Sequence, residues 1–458
     1  MKRKHLLSLF IAGLLITACA QPDSSREVVL NANWKFLRAD VENGQDPTLD
    51  DSSWRTLDLP HDYSIEDLPP QEGVKQIGPF SEKSAGSAST GHVMGGTAWY
   101  RKHFTLGKED QDKLVTLLFD GVYMDADVWI NGNHLGKHPY GYTAFSYDLT
   151  PHLLPAGEEN LLAVQVKNEG KNSRWYSGSG IYRDVKLIIT HPVHLPLWGI
   201  YITTPSVTSE KALIKTEVSA INGSVEDKEV LVTIRMKNSA NREVAADEQK
   251  VAVKAGETRA VQMETEVADP ALWSPGDPNL YTLEVQIREG DKVLDSVEER
   301  FGIRSIAFSA EEGFLLNGEP VLLKGGCLHH DNGPLGSAAF RTAEFRRVKT
   351  MKEAGFNAIR TAHNPPSQHF LDACDELGML VMDESFDQWQ KPKNPQDYHR
   401  FFDEWWEKDI EAMVLRDRNH PSIIIWSVGN EIQERADSSG QALYRMLSEK
   451  VKSLDPTR

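Results

Sequence analysis

After residue 304 the chain alternates short apolar segments with longer segments of helical composition. The apolar segments are Val321–Gly325, Asn357–Arg360, Met379–Asp383 and Ile423–Trp426, and the helical segments are Arg341–Ala354, Gln368–Leu377, Phe402–Arg418 and Gln441–Ser453. This alternation predicts parallel strands joined by helices, as in a (β/α)8 TIM barrel. A complete barrel needs eight strands and about 250 residues, whereas only about 155 residues follow here. We therefore expect residues 304–458 to form the first half of a barrel, and the chain to be a fragment of a longer protein.

The stretch 417–431 reads Asp-Arg-Asn-His-Pro-Ser-Ile-Ile-Ile-Trp-Ser-Val-Gly-Asn-Glu. Its consecutive apolar residues, Ile423–Trp426, suit a strand that is covered on both faces. In barrels of this type the chemistry lies at the C-terminal ends of the strands. Glu431 is therefore placed to move a proton, and Asn430 to bind a substrate hydroxyl. Capping of, or pairing with, the following helix is the alternative role of Glu431 and the usual one for a glutamate that follows an asparagine.

Residues 27–190 and 191–303 have the patterns of two all-β domains. In the first domain, apolar segments such as Leu114–Asp120 are separated by turns, and Asn131 with Gly132 predicts a two-residue hairpin. The size and strand spacing of the second domain predict an immunoglobulin-like β-sandwich that lacks the cysteine pair of antibody domains. We expect no chemistry in this second domain, which has the character of a spacer.

Several segments together resemble glycoside hydrolase family 2, which contains β-galactosidases, β-glucuronidases and β-mannosidases. Within stretch 417–431 the matching residues are Asp417, Asn419, His420, Pro421, Trp426, Asn430 and Glu431. Further matches lie in stretches 99–104, 128–136, 179–185, 357–366 and 374–384. The resemblance implies a jelly-roll sugar-binding domain at 27–190, an immunoglobulin-like β-sandwich at 191–303, and a TIM-barrel catalytic domain at 304–458.

The resemblance also implies a retaining mechanism, in which two carboxyl groups stand about 5–5.5 Å apart. The family's general acid/base corresponds to Glu431, which follows Asn430. Its nucleophile corresponds to a glutamate on a later barrel strand, so we expect this fragment to lack it. Arg360 ends a strand, where a guanidinium can hold a carboxylate. The resemblance makes that carboxylate the nucleophile, and a salt bridge with Asp383 or Glu384 is the alternative.

Five further residues are candidates for substrate binding. The family's positions that bind sugar hydroxyls correspond to His329 and His363, for which a metal-binding or core role is the alternative. Asp387 can accept hydrogen bonds from sugar hydroxyls, and Trp389 offers an indole face that can stack on galactose. Asn172 lies where the first β domain can contribute a polar residue to the site.

The chain gives no indication of a metal or another cofactor. Magnesium-dependent members of the family carry a Glu and a His at the positions that correspond to Gln388 and Gln390. Cys327 and Cys374 have no metal-ligand spacing between them. Because one lies on a predicted strand and the other on a predicted helix, we expect free buried thiols rather than a disulfide.

The first nineteen residues have the pattern of a lipoprotein signal peptide. A positive segment, Lys2–Lys4, precedes the apolar segment Leu6–Ile16, which is too short to span a bilayer as a stable helix. The sequence Ile-Thr-Ala-Cys that ends at Cys19 looks like a bacterial lipobox, with cleavage before Cys19 and acylation of its thiol. A plain secretory signal is the alternative. We expect an exported protein, lipid-anchored in the bacterial envelope, in the periplasm or on the outer membrane surface.

The charge balance narrows the class of partner. Acidic residues number 67 against 50 basic ones, and the net charge of −17 argues against nucleic acid and anionic membrane surfaces as partners. We interpret the chain as part of a retaining exo-β-glycosidase that hydrolyses terminal β-D-galactosides of oligo- or polysaccharides. The alternatives are a β-glucuronidase or β-mannosidase of the same family, and a non-catalytic carbohydrate-binding lipoprotein. A homo-oligomer is compatible with the sequence.

Overall fold

The computed structural model describes residues 26–458, and its first unit is a β-sandwich. The strands of this unit are β1 (Glu27–Val29), β2 (Trp34–Leu37), β3 (Arg55–Leu57), β4 (Gln76–Ile77), β5 (Phe80–Ser81), β6 (Gly96–Thr105), β7 (Leu114–Phe119), β8 (Ala126–Ile130), β9 (Asn133–His138), β10 (Phe145–Asp148), β11 (Glu159–Asn168) and β12 (Val185–Thr190). A four-stranded sheet, β1-β12-β7-β10, lies against a six-stranded sheet, β3-β2-β6-β11-β8-β9. Burial alternates along β7 and β8, because one face of each strand points into the core between the sheets. The fold is the predicted jelly-roll sandwich.

The hairpin between β8 and β9 confirms a local prediction. Asn131 and Gly132 have φ angles of 50° and 79°. These positive angles suit a two-residue hairpin turn, whose twist matches that of the flanking strands. Ile130 and Asn133 accordingly face each other in the ladder.

The second unit is also a β-sandwich. Its strands are β13 (Val193–His194), β14 (Ile200–Val207), β15 (Lys211–Asn222), β16 (Lys228–Lys237), β17 (Glu243–Val253), β18 (Thr258–Ala268), β19 (Tyr281–Glu289) and β20 (Lys292–Phe301). One sheet contains β13, β14 and β18 arranged around β15, and the other has the order β17-β16-β19-β20. The two inner faces share a buried apolar core. This architecture agrees with the predicted immunoglobulin-like sandwich.

The third unit begins with an antiparallel sheet, β21 (Ile306–Ser309), β22 (Gly313–Leu316) and β23 (Glu319–Pro320), and continues as a parallel one. The parallel strands are β24 (Gly325–Leu328), β25 (Ala358–Thr361), β26 (Leu380–Glu384) and β27 (Ile423–Ser427), and they pair in chain order. The helices are α1 (Arg341–Glu353), α2 (Gln368–Leu377), α3 (Phe402–Asp417) and α4 (Ser438–Leu454). This is the predicted partial TIM barrel.

The first barrel strand was predicted at the wrong place. Instead of Val321–Gly325, the strand covers Gly325–Leu328, and Leu322 is 76% exposed outside it. The backbone N–H of Val321 donates to the carbonyl of Phe314 at 2.9 Å, so this residue extends the preceding antiparallel sheet. Parallel pairing starts only at Gly325, which faces Ala358 of β25. Apolar content alone therefore misplaced the strand by about four residues.

Polar contacts attach the first unit to the barrel. Thr143 donates to Asp409 of α3 at 2.5 Å, and the Arg183 guanidinium donates to the carbonyl of Pro365 at 2.8 Å. Arg416 of α3 pairs with Asp120 of the first unit at 2.8 Å. Arg183 belongs to the segment between β11 and β12, so its bond to Pro365 holds that segment close to the C-terminal end of β25.

The two described cysteines differ from the prediction in one respect. Cys374 is buried on α2 and both thiols are free, but Cys327 is exposed. Cys327 faces Arg360 in the ladder, on the side of β24 that points into the barrel, and the described residues leave that interior open. Its burial was therefore predicted wrongly. No helix within residues 26–458 has the length and apolar character needed to cross a membrane.

We expect Trp273→Ala to destabilise the full-length protein strongly. Trp273 is fully buried beside the barrel, and its Nε1 donates to the carbonyl of Asp375 at 2.9 Å. Deleting so large a buried side chain costs about 3–5 kcal/mol in free energy of unfolding. Urea denaturation measures the change, with Phe80→Ala as the control because Phe80 is half exposed. Equal urea midpoints for the two variants would contradict this packing role.

Candidate active site

The C-terminal ends of β24 to β27 bring polar side chains together at one edge of the barrel. His329 follows β24, and Arg360 lies on β25 with His363 two residues beyond that strand. Glu384 ends β26, and Asn430 with Glu431 follows β27 after a short turn. The three predicted catalytic residues thus lie close together at this edge: Glu431, Asn430 and Arg360. In barrels of this kind that edge carries the chemistry.

Glu384 is fully buried and accepts hydrogen bonds from three side chains. Arg360 donates to its Oε2 through Nε at 2.9 Å and Nη2 at 2.6 Å. His363 Nδ1 lies 2.7 Å from Oε1, and Ser427 Oγ donates to Oε2 at 2.6 Å. The alternative salt bridge of Arg360 is therefore present, with Glu384 as its partner. Contact of Arg360 with a nucleophile stays a prediction.

Asp383, next to Glu384, points the other way. Its side chain is buried and interacts with Arg416 and Asp417 at the C-terminal end of α3. Burial raises the pKa of Asp383 well above its usual value, and the neighbouring Asp417 carboxylate raises it further. A buried acid facing a second acid behind the sheet has no access to a substrate, which supports a structural role for Asp383.

Asn430 joins Arg360 to Asp387. Its Oδ1 accepts from Arg360 Nη2 at 3.0 Å, and its Nδ2 donates to Asp387 Oδ1 at 2.8 Å. Its backbone is also held, because its N–H donates to the carbonyl of Phe386 at 2.9 Å and its carbonyl accepts from Lys393 Nζ at 2.8 Å. Hydrogen bonds within the protein thus fix the orientation of the oxygen and the nitrogen of the Asn430 side-chain amide.

Asp387 accepts hydrogen bonds from two cationic side chains as well as from Asn430. Arg174 donates to it through Nε at 3.0 Å and Nη2 at 2.7 Å, and Lys393 Nζ donates at 2.8 Å. Burial raises the pKa of Asp387, but the hydrogen bonds from Arg174, Lys393 and Asn430 outweigh it and hold this pKa below its usual value. A sugar hydroxyl would have to displace one of these donors, so the predicted sugar contact of Asp387 stays a prediction.

Glu431 is the exposed carboxylate of the cluster, with 67% of its side chain accessible. Its φ angle is 45°, a left-handed conformation that costs energy for a residue with a Cβ. Arg174 donates to its Oε2 through Nη1 and Nη2, each at 3.2 Å. The hydrogen bond with Asp387 is the main reason that the pKa of Arg174 lies above its usual value, and Glu431 contributes.

Two histidines and a tryptophan line the adjacent wall. The Trp175 ring centroid lies 4.8 Å from that of His329 and 5.5 Å from that of His363. Burial lowers the pKa of His329, and the neighbouring His363 lowers it further. A neutral His329 imidazole can both donate and accept hydrogen bonds, which suits contact with a sugar hydroxyl. The next residue, His330, is buried against Ser177, and burial lowers its pKa to about 3.

Two predicted substrate-binding residues have packing contacts instead. Trp389 is only 4% exposed, and its Nε1 donates to the carbonyl of Val428 at 2.8 Å. Asn172 is 9% exposed and its amide is engaged by Tyr123 at 3.0 Å and Asn168 at 2.7 Å. Both side chains are mostly buried, and these polar atoms are hydrogen-bonded within the protein. Their sugar contacts stay predictions without support from this geometry.

Comparison with known families accounts for all three units. Residues 29–192 match the sugar binding domain of glycosyl hydrolases family 2, residues 195–304 match "Glycosyl hydrolases family 2", and residues 309–458 match the TIM barrel domain of that family. The chain belongs to glycosyl hydrolases family 2. The same three units, in the same order, form the fold described above.

Relatives of the chain carry more than one enzyme name. It is 43% identical over 406 residues to the beta-galactosidase BoGH2A of Bacteroides ovatus, across 88% of this chain and 46% of that protein. It is 40% identical over 454 residues to a putative beta-glucuronidase of Formosa agariphila, across 98% and 41%. A solved glycosyl hydrolase family 2 member from Bacteroides cellulosilyticus has a TM-score of 0.92 and 46% identity, across 95% of this chain and 55% of that one. The chain spans about half the length of these relatives.

Three residues of this family 2 site were not foreseen from the sequence. Arg174 and Lys393 both donate to Asp387, and Trp175 covers the histidines. Arg174 and Trp175 lie just after Asn172, so the polar-aromatic composition of that segment was an available signal. Lys393 lies in an irregular segment after β26, and nothing in its sequence context distinguishes it from a surface lysine.

The positions that carry metal ligands in some family 2 enzymes have other contacts here. With its amide oriented to suit its neighbours, Gln388 donates to Asp387 at 3.2 Å and accepts from the N–H of Tyr398 at 3.1 Å. Gln390 donates to Asp403 at 2.6 Å. Over residues 26–458 no cluster of three His, Cys, Asp or Glu side chains is arranged to hold a metal ion.

We expect Arg360→Met to destabilise the full-length protein by about 3 kcal/mol, because it leaves the buried Glu384 carboxylate without its cation. The double variant Arg360→Met/Glu384→Gln also removes the unpaired charge of Glu384, and it should recover more than half of the lost free energy of unfolding. Denaturant unfolding of the single and double variants measures both effects. A double variant less stable than Arg360→Met would contradict the pairing as the source of the cost.

Proposed function

We propose that the full-length protein is a retaining exo-β-galactosidase, with Glu431 as its general acid/base. The observation that carries this proposal is the exposed Glu431 carboxylate at a barrel strand end, beside an amide oriented by Arg360 and Asp387. A proton donor must reach the leaving group, and exposure allows that contact. The second carboxyl group of the mechanism is expected on a later strand.

The charge balance of the described part of the site supports the proposal of a neutral sugar. Within residues 26–458, each cation of the cluster already has a carboxylate partner: Arg360 pairs with Glu384, and Arg174 and Lys393 pair with Asp387. A glucuronide carboxylate would need a cation that is free to pair with it. The pairing of these cations therefore supports the galactosidase hypothesis, whereas the putative beta-glucuronidase among the relatives supports the alternative.

The substrate class is tested with 4-nitrophenyl glycosides and the full-length protein. We expect kcat/KM for the β-galactoside to exceed that for the β-glucuronide and β-mannoside by about 10²-fold, because a site that lacks a partner for a polar group discriminates strongly against it. A reversed order would replace the galactosidase with the preferred enzyme. Binding of galactosides without release of nitrophenol from any glycoside would indicate a carbohydrate-binding protein.

We expect Glu431→Gln to lower kcat/KM for an unactivated β-galactoside by about 10²–10⁴-fold, because the leaving group loses its proton donor. The loss should be smaller for a dinitrophenyl galactoside, and azide should partly restore its turnover. The matched control is Glu449→Gln, because Glu449 is an exposed residue of α4. We expect this substitution to leave kcat/KM unchanged. An equal loss for both leaving groups, without azide rescue, would contradict the acid/base role.

We further propose that the protein is exported and anchored by lipid at Cys19, which lies outside the described residues. The support is the lipobox pattern of the sequence. Cys19→Ser should release the full-length protein from the membrane fraction, because acylation of this thiol is the anchor. Cys327→Ser is the control and should remain bound. Normal processing and membrane association of Cys19→Ser would contradict the proposal.

A further inference from the structure

The first β domain places one cation directly on the proposed acid/base. Arg174 lies between β11 and β12, on the segment that polar contacts hold against the barrel. Its guanidinium spans two carboxylates, with Nε and Nη2 on Asp387 and with Nη1 and Nη2 on Glu431 Oε2. The planar guanidinium carries five N–H groups in a fixed arrangement, so one arginine can bridge two acids in this way.

Glu431 depends on this contact for its orientation. Its side chain is largely exposed, and within the described residues Arg174 supplies its hydrogen bonds. The left-handed backbone of Glu431 is fixed from the preceding residue, because Asn430 is bonded to Phe386 and Lys393. The backbone is therefore anchored, whereas the carboxylate itself is positioned by the first domain.

We infer that Arg174 is a positioning residue that gives the two carboxylate oxygens of Glu431 different roles. It holds Oε2 with two donors, so Oε1 is left to carry the proton that is exchanged with the substrate. This inference rests on the proposed function, and it extends that function by making the first β domain part of the catalytic machinery.

The two steps of the reaction then use the same oxygen. In the first step, the proton on Oε1 passes to the glycosidic oxygen while the bond from that oxygen to the anomeric carbon breaks. The nucleophilic carboxylate forms its bond to the anomeric carbon at the same time. In the second step, water attacks that carbon, the bond to the nucleophile breaks, and a proton of the water returns to Oε1. Oε2 stays bonded to Arg174 throughout.

Two other roles for Arg174 make different predictions. If Arg174 contacted the substrate directly, its loss would weaken binding whether or not Glu431 was intact. If it served only to hold the first domain in place, its loss would lower stability and affect every kinetic parameter together. A positioning role acts mainly through Glu431, so most of the effect of removing Arg174 should disappear once Glu431 is replaced.

The test is a double-mutant cycle on the full-length protein, with kcat/KM measured on phenyl β-galactoside. Arg174→Met should lower kcat/KM by about 10²-fold, because a misplaced acid loses its alignment with the leaving group. In a Glu431→Gln background the same substitution should change kcat/KM by less than about 3-fold. Arg174→Lys keeps the charge but lacks the planar donors, and it should give an intermediate loss that also vanishes in that background.

Arg55→Met is the matched control, since Arg55 is a half-exposed arginine of the same domain that pairs with Glu66. It should leave kcat/KM unchanged. Losses from Arg174→Met and Glu431→Gln that simply multiply would overturn the positioning role while leaving the proposed function intact. Full activity of Arg174→Met would also overturn it, and full activity of Glu431→Gln would overturn the proposed function and the inference together.

Discussion

A continuous chain of charge-assisted hydrogen bonds links the ends of three barrel strands. It runs from Glu384 through Arg360 to Asn430, then through Asp387 and finally Arg174 to Glu431. Each link joins a charged group to a partner with matching geometry, and such bonds are about twice as strong as neutral ones. Parallel pairing of β24 to β27 brings these side chains within reach, and the network then fixes which way each one points.

The first β domain takes part in this network. Contacts such as Thr143 with Asp409 and Arg416 with Asp120 hold it on the barrel, and Arg174 extends from it to the carboxylates. The second sandwich contributes to the barrel base instead, where Trp273 packs beside Leu380. The position of an exposed carboxylate therefore depends on a domain that is remote in sequence.

Sequence patterns predicted two all-β domains and most of the barrel elements, because the periods of strands and helices are local properties. The jelly-roll topology came from the resemblance to the family. The patterns misplaced the first strand, since Val321 bonds to an antiparallel neighbour that no local pattern reveals, and Leu322 and Leu323 are exposed. The structure brings the predicted residues Arg360, Asn430 and Glu431 together at the strand ends, and their roles stay predictions. The patterns could not foresee that Trp389 is buried or that Arg174 bridges two carboxylates, because both depend on the packing of distant segments.

The central claim is that Glu431 serves a two-step mechanism with retention at the anomeric carbon. Proton NMR of the full-length protein acting on an aryl β-galactoside tests this claim directly, because it resolves the anomer formed before mutarotation. Retention predicts that β-galactose accumulates first and that the α anomer follows slowly. Initial formation of α-galactose would contradict the account, since inversion requires a single displacement by water and a wider separation of the two carboxyl groups.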